Sequence, residues 1–219
     1  MLVACWSVKG GSGTTVVAAA LATLFSRRSA TGSLAADLGG DLPFALGVDG
    51  GCAGAGLLDW MAAGPDVPGD ALSRLEVDVS PSLRLLPRGT GVPGPGRAEA
   101  LAVELATGQR PVVADCGSGP GEVGLAVAAG ASLSLLVLRP CYLALRRAVD
   151  APLRPSGVVL VAEPGRALGR RDVEDVLDAP VRAEVLVSPA VARMVDAGLL
   201  CRRLPRLLER ALAPLARAA

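Results

Sequence analysis

The chain has 219 residues, 51% of them hydrophobic, with 22 basic and 21 acidic side chains and no histidine. That length and apolar content suit one large α/β domain, and a formal charge of +1 gives no global pull toward nucleic acid or an acidic partner. Aromatic content of 2% removes the stacking platforms of a single-strand nucleic-acid binder, and the absence of histidine excludes Ser-His-Asp and Cys-His nucleophile systems. The cysteines at 5, 52, 116, 141 and 201 are odd in number and form no close pair. They point to reduced thiols in a cytoplasm, not to a disulfide framework or a zinc site. No signal-type stretch opens the chain, and no apolar run approaches the ~20 residues of a spanning helix.

Taken in order, Leu2–Ser7 reads as a buried strand and Thr15–Arg27 as a helix apolar nearly all round. Between them lies Val8-Lys9-Gly10-Gly11-Ser12-Gly13-Thr14-Thr15. Strand, glycine-rich turn and helix form the setting of a phosphate-binding loop. Gly10, Gly11 and Gly13 let backbone N–H groups turn inward as an anion nest, and the helix aims its positive end at the same spot. Lys9 is the only lysine in the chain, every other basic residue being arginine, and there is neither Asn nor Ile. In a composition that drifts from Lys to Arg wherever a plain charge suffices, the single lysine inside the glycine turn marks a position where shape matters.

Ser33–Ala36 is a short strand that runs into Asp37-Leu38-Gly39-Gly40-Asp41. A carboxylate at the carboxyl end of a strand beside such a loop sits where open α/β sheets place their chemistry. Gly47–Gly56 reads as a loop, Leu57–Ala63 and Asp70–Glu76 as helices, and Leu83–Leu86 as a strand. Trp60 is assigned to packing. Thr90–Gly96 is a Pro/Gly surface loop, followed by a helix at Arg97–Ala106. Pro111–Asp115 is an apolar strand ending in Asp, followed by Cys116-Gly117-Ser118-Gly119, and Cys116 reads as an inert buried thiol. Ser132–Leu138 is the most apolar strand. A helix at Cys141–Val149 carries Arg146 and Arg147 on a solvated face. Gly157–Ala162 and Val181–Val187 are strands, and Asp172–Leu177 and Pro189–Ala197 helices. Strands interleaved with helices, all buried, predict a mostly parallel sheet with helices on both faces. The tail from 202 to 217 places Leu204, Leu207, Leu208, Ala211, Leu212 and Leu215 at helical spacing with arginines between. Docking of this amphipathic helix (203–217) on the domain is favoured over peripheral membrane contact, because Pro214 interrupts it and no bulky aromatic anchors it.

The pattern Lys-Gly-Gly-x-Gly-x-Thr resembles the deviant phosphate loop of the ParA/MinD family of P-loop ATPases, of the SIMIBI class. In that family the early lysine, matched by Lys9, reaches across a nucleotide-sandwich dimer to the partner's phosphates. The second loop lysine is absent here, and Thr14 stands in its place. The resemblance implies ATP and Mg²⁺ as ligands. It assigns Gly10, Gly11, Ser12, Gly13, Thr14, Thr15 and Gly117 to the nucleotide, and Thr15, Asp37 and Asp115 to the metal. Lys9 and Asp37 carry the catalytic roles. Asp37 matches the second acid of a switch I Asp-x-Asp, with Ala35 replacing the first. Asp115 resembles the Walker B acid, and Cys116–Gly121 switch II. Asp-Leu-Gly-Gly-Asp-Leu is similar to the pilus-associated TadZ/CpaE branch. Where relatives often place an Asn to read adenine, this chain has Ala162-Glu163-Pro164.

Three functions are open on this reading. The first is a cytoplasmic, homodimeric positioning protein that serves septum placement, chromosome partition or pilus localisation together with a protein partner of that system. It carries no specific nucleic-acid signal and has at most weak ATPase activity. The second is a non-catalytic scaffold that keeps the fold and the dimer surface. The third is a small-molecule ligase of the same superfamily, for which no substrate-binding motif is present.

Overall fold

The computed structural model describes residues 1–48, 54–64, 66–68 and 70–217. Its centre is an eight-stranded sheet of β1 (Leu2–Ser7), β2 (Ser33–Asp37), β3 (Val77–Ser80), β4 (Leu83–Leu86), β5 (Val112–Ser118), β6 (Leu133–Leu138), β7 (Gly157–Ala162) and β8 (Val181–Leu186), in the order β3-β4-β2-β5-β1-β6-β7-β8. All pairings are parallel except β3 with β4. Every residue of β1 and β2 is buried. This is the expected cost of a parallel sheet covered on both sides, and it explains why these strands read as continuous apolar runs without alternation.

Period-two geometry divides the core. Leu2, Ala4 and Trp6 face one layer, with α3 (Leu57–Ala62), α4 (Asp70–Ser73), α5 (Arg97–Thr107), α6 (Glu122–Ala129), α7 (Tyr142–Val149) and α8 (Arg170–Leu177). Val3 and Cys5 face the other, with α1 (Thr14–Arg28), α2 (Leu42–Leu46), α9 (Pro189–Asp196) and α10 (Arg206–Leu212). In α1, everything from Val17 to Ser26 is buried. Its run of alanines lets the helix lie close on the sheet. Trp60 is a packing residue, with the Arg97 guanidinium 3.9 Å above its ring.

The structure departs from the sequence expectations in four places. Glu76 is not the end of a helix: α4 stops at Ser73, and Val77–Ser80 forms the antiparallel edge strand β3. Two helices unforeseen in the sequence, α2 and α6, fill the segments after Asp37 and after Gly121. The tail is not one helix over 203–217. Pro205 caps α10, which ends at Leu212, and 213–217 continue as turns. Leu204, Leu208, Leu212 and Leu215 are buried against α1 and β8, so this apolar face is turned into the domain. Residues 49–53 of the expected 47–56 loop, Cys52 among them, lie outside the described residues. Among the described residues, no helix is long and apolar enough to cross a membrane.

Candidate functional site

Phosphate-loop geometry follows from three local choices. Gly11 and Gly13 take φ of +74° and +88°, the left-handed region where a side chain is strained. Gly13 caps α1, and its carbonyl accepts the Val17 N–H at 3.0 Å. Ser7 and Ser12 both donate to the Lys9 carbonyl, at 3.3 and 2.7 Å, which fixes the start of the loop. The Ser7 carbonyl accepts the Gly119 N–H at 2.7 Å and so ties the loop after β5 to the end of β1. Inside lies a cavity of about 460 Å³ bounded by Gly10–Val16, Gly39, Asp41 and Gly117. Thr14, at 7% exposure, and the half-buried Thr15 sit at the start of α1 on its wall.

Two carboxylates underlie this cavity. Asp37 ends β2 and is register partner to Asp115 on β5, so neighbouring parallel strands bring the two side by side. Asp37 Oδ1 accepts the Gly40 N–H at 2.7 Å, and Asp115 Oδ1 accepts the Gly117 N–H at 3.0 Å. The remaining oxygen of each, Oδ2, is buried with no hydrogen-bond partner. Two glycines permit this arrangement. A Cβ on Gly39 would lie 3.3 Å from Asp115 Oδ2, and a Cβ on Gly117, at φ +71°, would lie 3.3 Å from the Gly39 Cα. Burial pushes the Asp37 carboxyl up to about 7, with the charges of Asp115 and Asp41 adding to the rise and the Gly40 N–H opposing it. Burial raises Asp115 as well, against the Thr15 hydroxyl and the Gly117 N–H. Burial favours the protonated form of both acids, and a cation placed beside them would favour the ionised pair.

A divalent ion would be such a cation. The two Oδ2 atoms and the Thr15 hydroxyl are hard oxygen donors of the kind Mg²⁺ takes. No group of three or more His, Cys, Asp or Glu able to hold a metal alone occurs among the described residues.

The structure gathers Gly10, Gly11, Ser12, Gly13, Thr14, Thr15 and Gly117 on the lining of one cavity, while Asp37 and Asp115 lie buried behind its Gly39–Gly117 wall. Lys9 points elsewhere. It is exposed and lines a separate cavity of about 230 Å³ on the outer side of the same loop, together with Arg139 and Arg166. Ser7, Gly39 and Arg166 were not singled out from sequence. The Asp37-Leu38-Gly39 turn alone carried a usable signal, since a glycine two residues after a strand-end acid marks close approach. Cys116 is buried, with its thiol pushed up by burial, so it is no nucleophile. A larger open cleft of about 680 Å³ lies between α9 and α10, away from the loop, and collects none of these groups.

The class defined by this sheet order and loop is a P-loop nucleotide-binding fold. More narrowly, it is the fold of the ParA and MinD ATPases. A ParA family ATPase from Chlorobium tepidum superposes with a TM-score of 0.77 at 20% identity, over 100% of this chain and 99% of the other. MinD from Aquifex aeolicus gives 0.78 at 18% identity, over 99% and 95%. The septum site-determining protein MinD from Pyrococcus horikoshii, complexed with Mg-ADP, gives 0.77 at 21% identity, over 99% and 94%. No family model and no curated protein sequence matches the chain.

Proposed function

We propose that the chain is a nucleotide-dependent positioning protein of the ParA/MinD type. It would bind ATP with Mg²⁺ in the 460 Å³ cavity and dimerise in the nucleotide-bound state, serving septum placement, chromosome partition or pilus localisation. The observation that carries this reading is the pair of unpartnered Oδ2 atoms of Asp37 and Asp115 beneath a glycine nest at the N-terminus of α1. A nest and a helix N-terminus favour an anion, and an unmet acid pair favours a cation. A Mg–polyphosphate supplies both at once. The ion's chemistry, when bound, is to neutralise charge on the phosphate oxygens.

Within this reading each residue has a physical task. The N–H groups from Gly10 to Thr15 hold phosphate oxygens, and the Thr15 hydroxyl and Asp115 orient the ion. Asp37, buried beside Asp115 at the end of β2, would help to orient the ion's water shell. Gly117 offers a backbone N–H at the far wall, and Lys9, on the exposed outer side, is free to reach a second copy. The fit to partner proteins follows from the neighbours: one solved relative is the MinC:MinD complex of Aquifex aeolicus. By the same analogy, a division, partition or pilus protein would be the partner here.

Thr14 favours a second reading. It occupies the place of the lysine that touches the phosphates, and a charge-assisted contact of that kind is worth about 1.5–3 kcal/mol. Nucleotide would then bind at least ~10-fold more weakly than with the lysine, and the chain would act as a scaffold with little or no turnover. Equilibrium binding of ATP with Mg²⁺, measured beside sedimentation, separates the two. Micromolar affinity with ATP-dependent dimers supports the switch. No binding at millimolar ATP and an unchanged oligomeric state support the scaffold.

A further inference from the structure

We infer that the cleft between α9 and α10 docks an acidic segment of a protein partner, one in which carboxylates flank apolar side chains. Charge is spread unevenly along the chain. Residues 190–217 hold six arginines and two acids, while the formal charge of the whole is +1, so the remainder is net acidic. Arg193, Arg203 and Arg206 line the 680 Å³ cleft, with Glu209 as the acid beside them. All four are exposed, and among the described residues none of them forms an ion pair. Elsewhere arginines are paired: Arg74, Arg84, Arg110, Arg139 and Arg170 each meet a carboxylate of the same chain. A scatter of surface arginines would be only a solvated face. What sets these apart is the floor they share.

That floor is apolar and its frame is fixed. Met194, Leu204 and Pro205 line the cleft together with the arginines. The backbone joining the two helices is pinned: the Leu199 N–H donates to the Met194 carbonyl at 2.9 Å, and the Arg203 N–H to the Leu199 carbonyl at 2.8 Å. The Arg27 guanidinium of α1 adds a bond to the Cys201 carbonyl at 3.3 Å. The shape is thus held before anything binds, which lowers the ordering cost of docking. Carboxylates match guanidinium groups, and methionine adapts to differing apolar side chains. Nucleic acid fits less well. No aromatic side chain lines the cleft for a base to stack on, and phosphates would leave the apolar floor uncovered. A membrane also fits less well, since the surface is concave and Leu208 and Leu212 of α10 are turned into the domain.

The cleft shares no lining residue with the loop cavity, so docking there goes beyond the nucleotide reading and does not depend on it. The test uses the full chain and a short fluorescein-labelled peptide of glutamate interspersed with leucine, followed by fluorescence anisotropy. Saturable binding is expected, alike with and without ATP·Mg, and weaker as salt rises. The double variant Arg203→Glu/Arg206→Glu, checked for native circular dichroism, is expected to bind the peptide at least ~10-fold more weakly. The same charge change in Arg146→Glu/Arg147→Glu, exposed on α7, is expected to leave binding unchanged. Polyglutamate carries the charge without the leucines, and is expected to bind at least ~10-fold more weakly than the mixed peptide. Docking that stays intact in a chain that binds no ATP keeps this site and removes the nucleotide reading. No saturable binding to the wild type, equal affinity in the Arg203→Glu/Arg206→Glu variant, or polyglutamate bound as tightly as the mixed peptide would overturn the proposal. So would duplex DNA or phosphatidylglycerol vesicles that displace the labelled peptide more effectively than its unlabelled form, since the arginines would then serve phosphates.

Discussion

The two walls of one loop carry opposite charge. On the inner wall, Asp41 lines the cavity, Asp37 and Asp115 lie buried behind it, and no lysine is among the lining residues. On the outer wall, Lys9, Arg139 and Arg166 face a single carboxylate. A glycine turn only a few residues wide separates them. The difference teaches that cations of the chain gather on the exposed outer side of the loop, while the inner side holds acids and no basic side chain on its lining.

Lys9→Ala breaks the outer wall most severely. ATP-driven dimers, followed by sedimentation, are expected to vanish while the monomer keeps its fold, because Lys9 is exposed and anchors no core contact. Dimers that persist would remove the role given to Lys9. Thr14→Lys sharpens the inner wall. Restoring a lysine–phosphate contact is expected to raise ATP affinity by about 10- to 100-fold in calorimetry. An unchanged Kd would mean that no phosphate lies at that position.

A smaller effect comes from the acid pair and is read as stability against pH. The Asp37 carboxyl rises from 3.8 to about 7, so the folded chain holds a proton that the unfolded chain has lost between those values. Asp37 therefore contributes stability that is full below about pH 4 and lost as pH rises through about 7. The loss is on the order of 3–4 kcal/mol. Thermal melts of metal-free protein are expected to fall across that window. Asp37→Asn is expected to flatten most of the decline, leaving the part due to Asp115. A melt curve that stays level from pH 4 to 8 in the native chain would contradict the buried pair. Mg²⁺ is expected to restore stability above pH 7, and in Asp37→Asn to restore less.

Much of the fold could be read from sequence because its signals were local. β1 and β7 have the expected bounds, Leu2–Ser7 and Gly157–Ala162, since both are unbroken apolar runs between turn residues. The inner wall was equally legible, because the loop and the strand-end acids each occupy a contiguous stretch. The misses share a different cause. α2 is a five-residue helix, too short to show a period, and α6 begins with Glu122-Val123-Gly124, which reads as more loop. Gly124 is there because a Cβ would come within 2.8 Å of the Pro120 Cβ, a constraint visible only in three dimensions. The outer cluster was hidden for the same reason. Arg139 and Glu163 lie 24 residues apart and meet only because β6 and β7 are neighbours in the sheet. In the sequence, Glu163 showed only as the absence of an Asn. The tail's spacing was right but its length was not, since Pro205 sets where α10 starts.

The most direct test is the metal dependence of nucleotide binding to the unmodified chain. Calorimetric titration of ATP is carried out with millimolar Mg²⁺ and again with a chelator. Binding that is micromolar with Mg²⁺ and at least ~100-fold weaker without it is the result predicted for an inner wall of paired acids without a lysine. Equal affinity in the two titrations, or none at millimolar ATP with Mg²⁺ present, would contradict it.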